Sequence, residues 1–428
     1  MRKSSANSPQ RAHKARAIFL LCSLCVFVGA ARAQSPNVVQ AFEQLAALIR
    51  DNRLAQAEKE LTNVLRVTPN LPVALNLMGS LRAKQGRLVE AEKLFLRAVQ
   101  NDKNFTGARL NLVYLYLLKR APDKAIVQLN EVVALEPANI EARVLLGDAY
   151  LAKNDLQKAE ENYLAALDER LDNAAALFGL AQISRLKGET REASIYLNRV
   201  AKLAGDTIST EFLYKFALEA MRVGMFDEAK SALDRAVEFK PKEPSYLLAL
   251  GIAWLRKGDV FEAEKLFRRV VQLQPNHAQG QLHLGYVLLN QKKYAEARTW
   301  LEKSARLGVA IPEVFYYLGL VAQEQNDDAR AIVLFEKAVK LLPSYAHARV
   351  ALGSSYMKLK NYVRARQELE MAVKLDPDEP TAHYNLALLY ARIKEPARAQ
   401  EEMRIIEQLK AKGASTGGVV VLPPKSNP

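Results

Sequence analysis

The sequence predicts an all-α protein, an α-solenoid of about eleven helix-turn-helix units of 34 residues, and three observations predict it. Eleven alanines share one register. Ala57, Ala91, Ala125, Ala159 and Ala193 stand 34 residues apart, and after one 36-residue step Ala229, Ala263, Ala297, Ala331, Ala365 and Ala399 resume the spacing. Twelve residues before the alanine lies a small residue in nine units: Gly79, Gly147, Gly251, Gly285, Gly319 and Gly353, with Ala181, Ala217 and Ala387. Four residues after it lies a large apolar residue, from Leu61, Phe95, Leu129 and Tyr163 through to Leu369 and Met403. Self-similarity at a period of this length is the mark of a stacked array.

The spacing accounts for each element of the unit in turn. Residues such as Ala263, Phe267 and Val270, at i, i+4 and i+7, fall on one face of a helix, the second of the unit. The stretch before it, for example Tyr246 to Gly251, is the first helix, whose small residue lets its partner approach closely. Gly86, Gly188, Gly224, Gly258, Asn154-Asp155 and Asn326-Asp327 supply turn residues between the two. Twelve residues after the alanine, Pro69, Pro137, Pro241, Pro275, Pro343 and Pro377 stop the second helix, because proline has no N–H to continue the ladder. One such pair cannot bury its apolar face alone. Stacked pairs share a continuous core, with energetics that are roughly nearest-neighbour.

The small residue, the aromatic three places later (Tyr116, Tyr150, Trp254, Tyr356, Tyr390), the alanine, the large residue and the proline together resemble the tetratricopeptide repeat (TPR) pattern, as found in exported bacterial-type members. The resemblance covers roughly residues 38 to 412, with units starting near residues 38, 72, 106, 140, 174, 210, 244, 278, 312, 346 and 380. It implies a right-handed superhelix, and it implies a scaffold rather than any one activity.

Residues 1–33 read as a cleavable signal peptide. Arg2, Lys3, Arg11, Lys14 and Arg16 form a basic start without an acid, Ala17 to Gly29 is an apolar run, and Ala31-Arg32-Ala33 offers a small-x-small cleavage pattern before Gln34. An uncleaved anchor is the alternative, although the run falls short of the about 20 apolar residues that span a bilayer. Neither Cys22 nor Cys25 sits in the small-residue pattern of a lipoprotein site. Both cysteines lie in the leader, so cleavage leaves a chain with no thiol chemistry, which suits an oxidising compartment, periplasmic or secreted. Cleavage also removes six of the 61 basic residues and none of the 47 acidic ones, cutting the formal charge from +14 to +8. That surplus is spread along the chain and makes no nucleic-acid footprint. The mature form is therefore expected not to span a membrane and not to bind nucleic acid.

The array, residues 34–412, departs from its rule in three places. The fifth unit carries two extra residues, with Gly205-Asp206-Thr207 where others have proline, either a change of stacking or a tolerated loop insertion. The first unit has Leu45 at the small position, with Asn37 as its N-cap. At the other end, Glu401, Glu402, Arg404, Glu407, Gln408 and Lys410 give the last helix, Arg398 to Lys412, a polar outer face. Residues 413–428 lose all periodicity and read as a flexible tail, with Val419 to Leu422 as a possible docking strand.

No enzyme chemistry is legible. His277, His283, His347 and His383 are not spaced as metal ligands, no HExxH occurs, and no phosphate-cradling glycine loop or nucleophile elbow follows a strand. Acidic pairs such as Glu401-Glu402 and Asp327-Asp328 read as solvated faces and turns. The expectation is a non-enzyme with no cofactor and no metal.

The family resemblance implies that first helices line a concave groove where ligands lie. Placed on that pattern, the groove positions are Phe42, Asn76, Leu110, Tyr114, Val144, Phe178, Gln182, Arg185, Tyr214, Leu248, Arg256, Leu282, Tyr286, Asn290, Tyr316, Gln323, His347, Tyr384 and Arg392. Each aromatic there also fits packing against the neighbouring helix, but together the tyrosines and arginines are what binding hot spots favour. The lysine and asparagine clamp by which family members grip a C-terminal carboxylate is absent in register. An extended peptide or a partner's helix suits the groove better. The expected function is a protein-binding scaffold or adaptor outside the cytoplasm, associated with an envelope complex. The alternative is a non-catalytic subunit of an exopolysaccharide synthesis or export machine, or of a protein secretion complex.

Overall fold

A computed structural model describes residues 36–203, 209–308 and 310–411, and every regular element among them is an α-helix. The chain divides into two compact parts at Ile208/Ser209. The N-terminal stack holds α1 (Pro36–Arg50), α2 (Leu54–Val67), α3 (Pro72–Lys84), α4 (Leu88–Asn101), α5 (Thr106–Leu118), α6 (Pro122–Leu135), α7 (Ile140–Ala152), α8 (Leu156–Glu169), α9 (Ala174–Leu186) and α10 (Thr190–Leu203). The C-terminal stack holds α11 (Thr210–Arg222), α12 (Phe226–Phe239), α13 (Pro244–Arg256), α14 (Val260–Leu273), α15 (Ala278–Asn290), α16 (Tyr294–Arg306), α17 (Pro312–Glu324), α18 (Asp328–Leu341), α19 (Ala346–Lys358), α20 (Tyr362–Leu375), α21 (Pro380–Arg392) and α22 (Pro396–Ala411). Odd and even helices pair within a unit, and each even helix packs on the first helix of the next unit in its stack. The leader, the two-residue insertion at Gly205 and the tail from residue 413 lie outside the described residues.

The register of the alanines is the register of burial. Ten of them, Ala57 to Ala365, have no exposed surface, and the ten large residues four places on, Leu61 to Leu369, have none either. The glycines explain why the large residue fits. A Cβ on Gly79, Gly251 or Gly319 would stand 2.4–2.6 Å from the ring of Phe95, Phe267 or Phe335, so the missing methyl is the space the ring occupies. The prolines act one step later than expected. Each second helix ends two residues before its proline, at Val67, Leu135, Phe239, Leu273, Leu341 and Leu375, and the proline belongs to the turn that follows.

The turn inside each unit has one recurring feature. The residue five places before the register alanine takes a left-handed backbone in all eleven units: glycine at 86, 188, 224 and 258, Asn52, Asn154 and Asn326, but also Arg120, Lys292, Lys360 and Lys394. There it closes the first helix. The N–H of Lys360 donates to Met357 O and that of Asn361 to Tyr356 O at 2.8 Å, a Schellman ending. The next residue caps the second helix through its side chain at Asp155, Asp259, Asp327 and Asn361. First helices open instead on proline at the first helical position at Pro72, Pro244, Pro312 and Pro380, and Pro122 opens a second helix by the same device.

Two terminal expectations need correcting. Asn37 does not cap α1, because the helix already includes Pro36. The face of the last unit is not wholly polar: Met403 is 44% exposed and Tyr384 50% exposed, with Leu388 beside them. These residues stand where, in earlier units, the following first helix covers their counterparts, and no described helix follows α22.

Candidate functional site

Polar side chains join the units at repeated positions. The aromatic three places after the small residue lies on the preceding unit. The Tyr356 hydroxyl donates to Glu336 Oε1 at 2.5 Å and the Tyr390 hydroxyl to Glu370 Oε1 at 3.0 Å, in each case a carboxylate of the second helix before it. Cations of the same unit's second helix lie over these rings: Lys124 over Tyr116, Lys158 over Tyr150, Arg364 over Tyr356 and Arg398 over Tyr390. Burial and then the Glu92 carboxylate push the Tyr116 hydroxyl up to about 12, so it stays a neutral donor.

Four residues before the small position a second polar staple recurs. Arg349 donates from Nε to Pro343 O at 2.9 Å and from Nη1 to Glu368 Oε2 at 2.5 Å. Arg109 likewise reaches Lys103 O and Gln128, and Gln281 reaches Pro275 O. His383 faces Pro377 O with Nε2 at 2.9 Å and Glu402 Oε2 with Nδ1 at 2.6 Å. Each staple ties an inter-unit turn to its helix pair. His277 caps α15, its Nδ1 accepting from Gly280 N at 3.0 Å, while burial lowers its affinity for a proton.

The groove positions separate by depth. Phe42, Asn76, Leu110, Leu282 and Tyr286 are buried, which corrects the expectation that they face an open groove, and Tyr316, 5% exposed, is nearly so but lines the cavity described below. The reason is that consecutive first helices touch within each stack, as α1 and α3, α15 and α17, and α19 and α21 do, so side chains three places before the small residue, and Tyr286 one place after it, meet the next first helix. Asn76 accepts from Asn111 Nδ2 at 2.8 Å in the interior, and Tyr286 packs on Tyr317 with ring centroids 4.9 Å apart. Half-buried are Tyr114, which donates to Glu141, Val144, Phe178, Gln182, Arg185, Leu248 and Tyr214, the last 5.0 Å from the Tyr246 ring. Arg256, Asn290, Tyr384 and Arg392 are exposed, Arg256 lying over the Phe226 ring.

Three of the expected positions come together. Tyr316 and Gln323 on α17 and His347 on α19 line a cavity of about 250 Å³, completed by Val350, Ala351 and Ser354 of α19 and by Glu379, Thr381 and Asn385 at the start of α21. Tyr316 is its floor, packed on Tyr345 with centroids 5.2 Å apart. Gln323 Nε2 donates to Ser355 Oγ at 2.7 Å, and Glu379 Oε1 caps α21 by accepting from Thr381 N at 2.9 Å. Glu379 Oε2 lies 3.5 Å from His347 Nε2. One turn earlier on α17, burial pushes the Glu313 carboxyl above the usual carboxylate range. Tyr384 lies apart from this cavity and lines another, of about 340 Å³, on the terminal face with Leu388 and Met403. Sequence reasoning missed Glu379 and Asn385; Glu379 was signalled only by its place before Pro380, where a capping side chain is wanted.

Among the described residues no helix is long and apolar enough to cross a membrane, and no group of three or more His, Cys, Asp or Glu is placed to hold a metal.

The tetratricopeptide repeat family profile matches residues 42–104, 144–206, 214–278 and 262–308, more than half of the chain, and a second profile of that description matches 116–162 and 320–383. Cellulose synthase operon protein C of Xanthomonas axonopodis pv. citri (strain 306) is 30% identical over 229 residues, 52% of this chain and 15% of that protein. Human protein O-mannosyl-transferase TMTC3 is 23% identical over 225 residues, 51% of this chain and 24% of that protein. The chain thus spans a quarter or less of the length of these curated relatives. The crystal structure of a tetratricopeptide repeat protein from Parabacteroides merdae, 20% identical, aligns over 58% of this chain and 98% of its own with a TM-score of 0.43. With its 34-residue helix pairs, buried alanine register and profile matches from residue 42 to 383, the chain belongs to the tetratricopeptide repeat family, whose arrays are scaffolds for protein and peptide partners.

Proposed function

We propose that this protein is a non-catalytic adaptor that acts outside the cytoplasm and holds a peptide segment or partner helix on the first-helix face of its C-terminal stack. The observation that carries the reading is the cavity at Tyr316, where three successive first helices leave a concave, mixed polar and apolar recess open to solvent. Partner sites on repeat arrays are built in this way, from side chains spaced by the repeat. The leader-like residues 1–33 and the cysteine-free remainder support export, with a mature protein beginning near Gln34 in the periplasm or secreted medium. Arg256 and Arg392, exposed at the ends of the first helices α13 and α21, offer further binding positions in the same stack.

A photocrosslinking residue at position 385, beside the cavity, tests the reading in cells. One discrete adduct is expected there and not with the crosslinker at Val333, which is exposed on α18. Equal adducts at both positions, or none at 385, would defeat it. Export is tested separately by N-terminal sequencing of the fractionated protein, where an intact leader on cytoplasmic protein counts against it.

A second reading has its own support. Likeness over half of this chain to a protein named for a cellulose synthase operon favours a non-catalytic subunit of an exopolysaccharide synthesis or export complex. Its test is a deletion strain: loss of surface polymer restored by the full chain supports it, and unchanged polymer removes it. Protein secretion is the remaining setting, tested by secreted-protein profiles of the same strain.

A further inference from the structure

We propose that the cavity between α17, α19 and α21 takes a lysine or arginine side chain of the bound partner, with Glu379 as its counter-ion and the Tyr316 ring beneath it. The proposal rests on reading this face as the seat of a peptide, and it adds the chemistry that the peptide must carry.

Charge is the first argument. The chain as a whole holds 61 basic against 47 acidic residues, yet the residues lining this cavity include one carboxylate and neither lysine nor arginine. The Glu379 side chain is only 13% exposed, and it is held in place by its capping bond to Thr381 N. Oε2 is left with a single weak approach, His347 Nε2 at 3.5 Å. A carboxylate withdrawn from water and already oriented gains more from an incoming cation than a free surface carboxylate does.

Hydrogen-bond polarity is the second. The amide nitrogens at the rim are engaged within the protein: Gln323 Nε2 with Ser355 Oγ, and Asn385 Nδ2 with Thr381 O at 2.8 Å. Their carbonyl oxygens remain as acceptors among the residues that line the recess with Glu379. The Ser354 and Thr381 hydroxyls can accept as well as donate, so a ligand made only of donors, as an ammonium or guanidinium group is, can be satisfied throughout this lining. An acidic side chain would meet Glu379 with like charge, and an apolar one would bury the carboxylate unpaired.

Size and floor are the third. About 250 Å³ is below the range of pockets for drug-sized ligands, and it suits one long side chain. Tyr316 offers a ring on which a cation can rest.

The test is selection of random peptides by display on the full-length protein, repeated on Glu379→Gln. The wild type is expected to enrich peptides with lysine or arginine at one fixed position. Replacing that residue by norleucine or citrulline should weaken binding by about tenfold. On Glu379→Gln the basic and neutral peptides should bind alike. Enrichment without a basic position, or equal binding of the neutral peptide by the wild type, overturns this proposal and leaves the peptide-seat reading standing. No enrichment at all overturns both. If thermal unfolding shows that Glu379→Gln does not fold, the comparison of basic and neutral peptides on the wild type decides alone.

Discussion

The Cβ that Gly179 lacks would stand 2.3 Å from Cζ of Tyr163, and that of Gly147 would stand 2.4 Å from Cε1 of the same ring. Tyr163, on α8, therefore fills the space left by one glycine of its own unit and one of the next, with no exposed surface. Its hydroxyl escapes burial without a partner by donating to Asp148 Oδ1 at 2.7 Å. Gly179→Ala is expected to destabilise the N-terminal stack by about 1–3 kcal/mol through overpacking, despite a gain of about 1 kcal/mol in helix propensity. Urea unfolding followed by circular dichroism measures it, and the double variant with Tyr163→Leu should recover part of the loss. A neutral or stabilising Gly179→Ala would mean that the ring has room to move.

The left-handed residues make the opposite prediction. Lys360 has φ +62° at a position where other units carry glycine or asparagine, and an L side chain there crowds its own backbone. Lys360→Gly should stabilise the C-terminal stack by about 0.5–1 kcal/mol, the relief of strain exceeding the extra entropy of the unfolded chain. Lys360→Asn should fall between. A lower urea midpoint for Lys360→Gly would refute the argument.

Burial pushes the His283 imidazole down to about 4, with His277 adding a smaller push in the same direction. The ring stacks on Phe267 at 5.3 Å between centroids, and its Nδ1 has no hydrogen-bond partner. Because the folded value lies below the ordinary 6.5, the unfolded chain binds the extra proton between those limits. The contribution is fully present above pH 6.5 and is lost as the pH falls, at about 1.4 kcal/mol per pH unit, until about pH 4. Between pH 7 and pH 5 this amounts to about 2 kcal/mol. His283→Leu should remove that part of the acid sensitivity. Parallel pH profiles for variant and wild type would assign it to other groups.

The Arg349 staple is also open to test. Arg349→Met keeps the apolar stem but leaves Pro343 O and Glu368 without their donor. A loss of about 1–3 kcal/mol is expected, accompanied by faster amide exchange in the turn before α19. An unchanged exchange rate there would show that the staple does not hold the turn.

Most of the scaffold was legible in the sequence, because a repeat states its core eleven times. One alanine among many says little, but Ala57 to Ala399, evenly spaced but for one 36-residue step, identify the helix pair and its buried face. The turn was legible where Gly86 or Asn154 marked the left-handed residue. It was hidden at Arg120, Lys292, Lys360 and Lys394, where tertiary packing overrides local preference. Depth was not legible either. Register places Asn76, Tyr286 and Tyr316 on the first-helix face, but neighbouring first helices close over that face, and only their approach decides what stays open. The cavity at Glu379 belongs to this second class. Its residues come from units one and two repeats apart, each unexceptional in its own segment, and their meeting is a property of stacked helices rather than of any stretch of chain. Periodicity along the chain thus determined the architecture, while the distances between neighbouring units determined the candidate site.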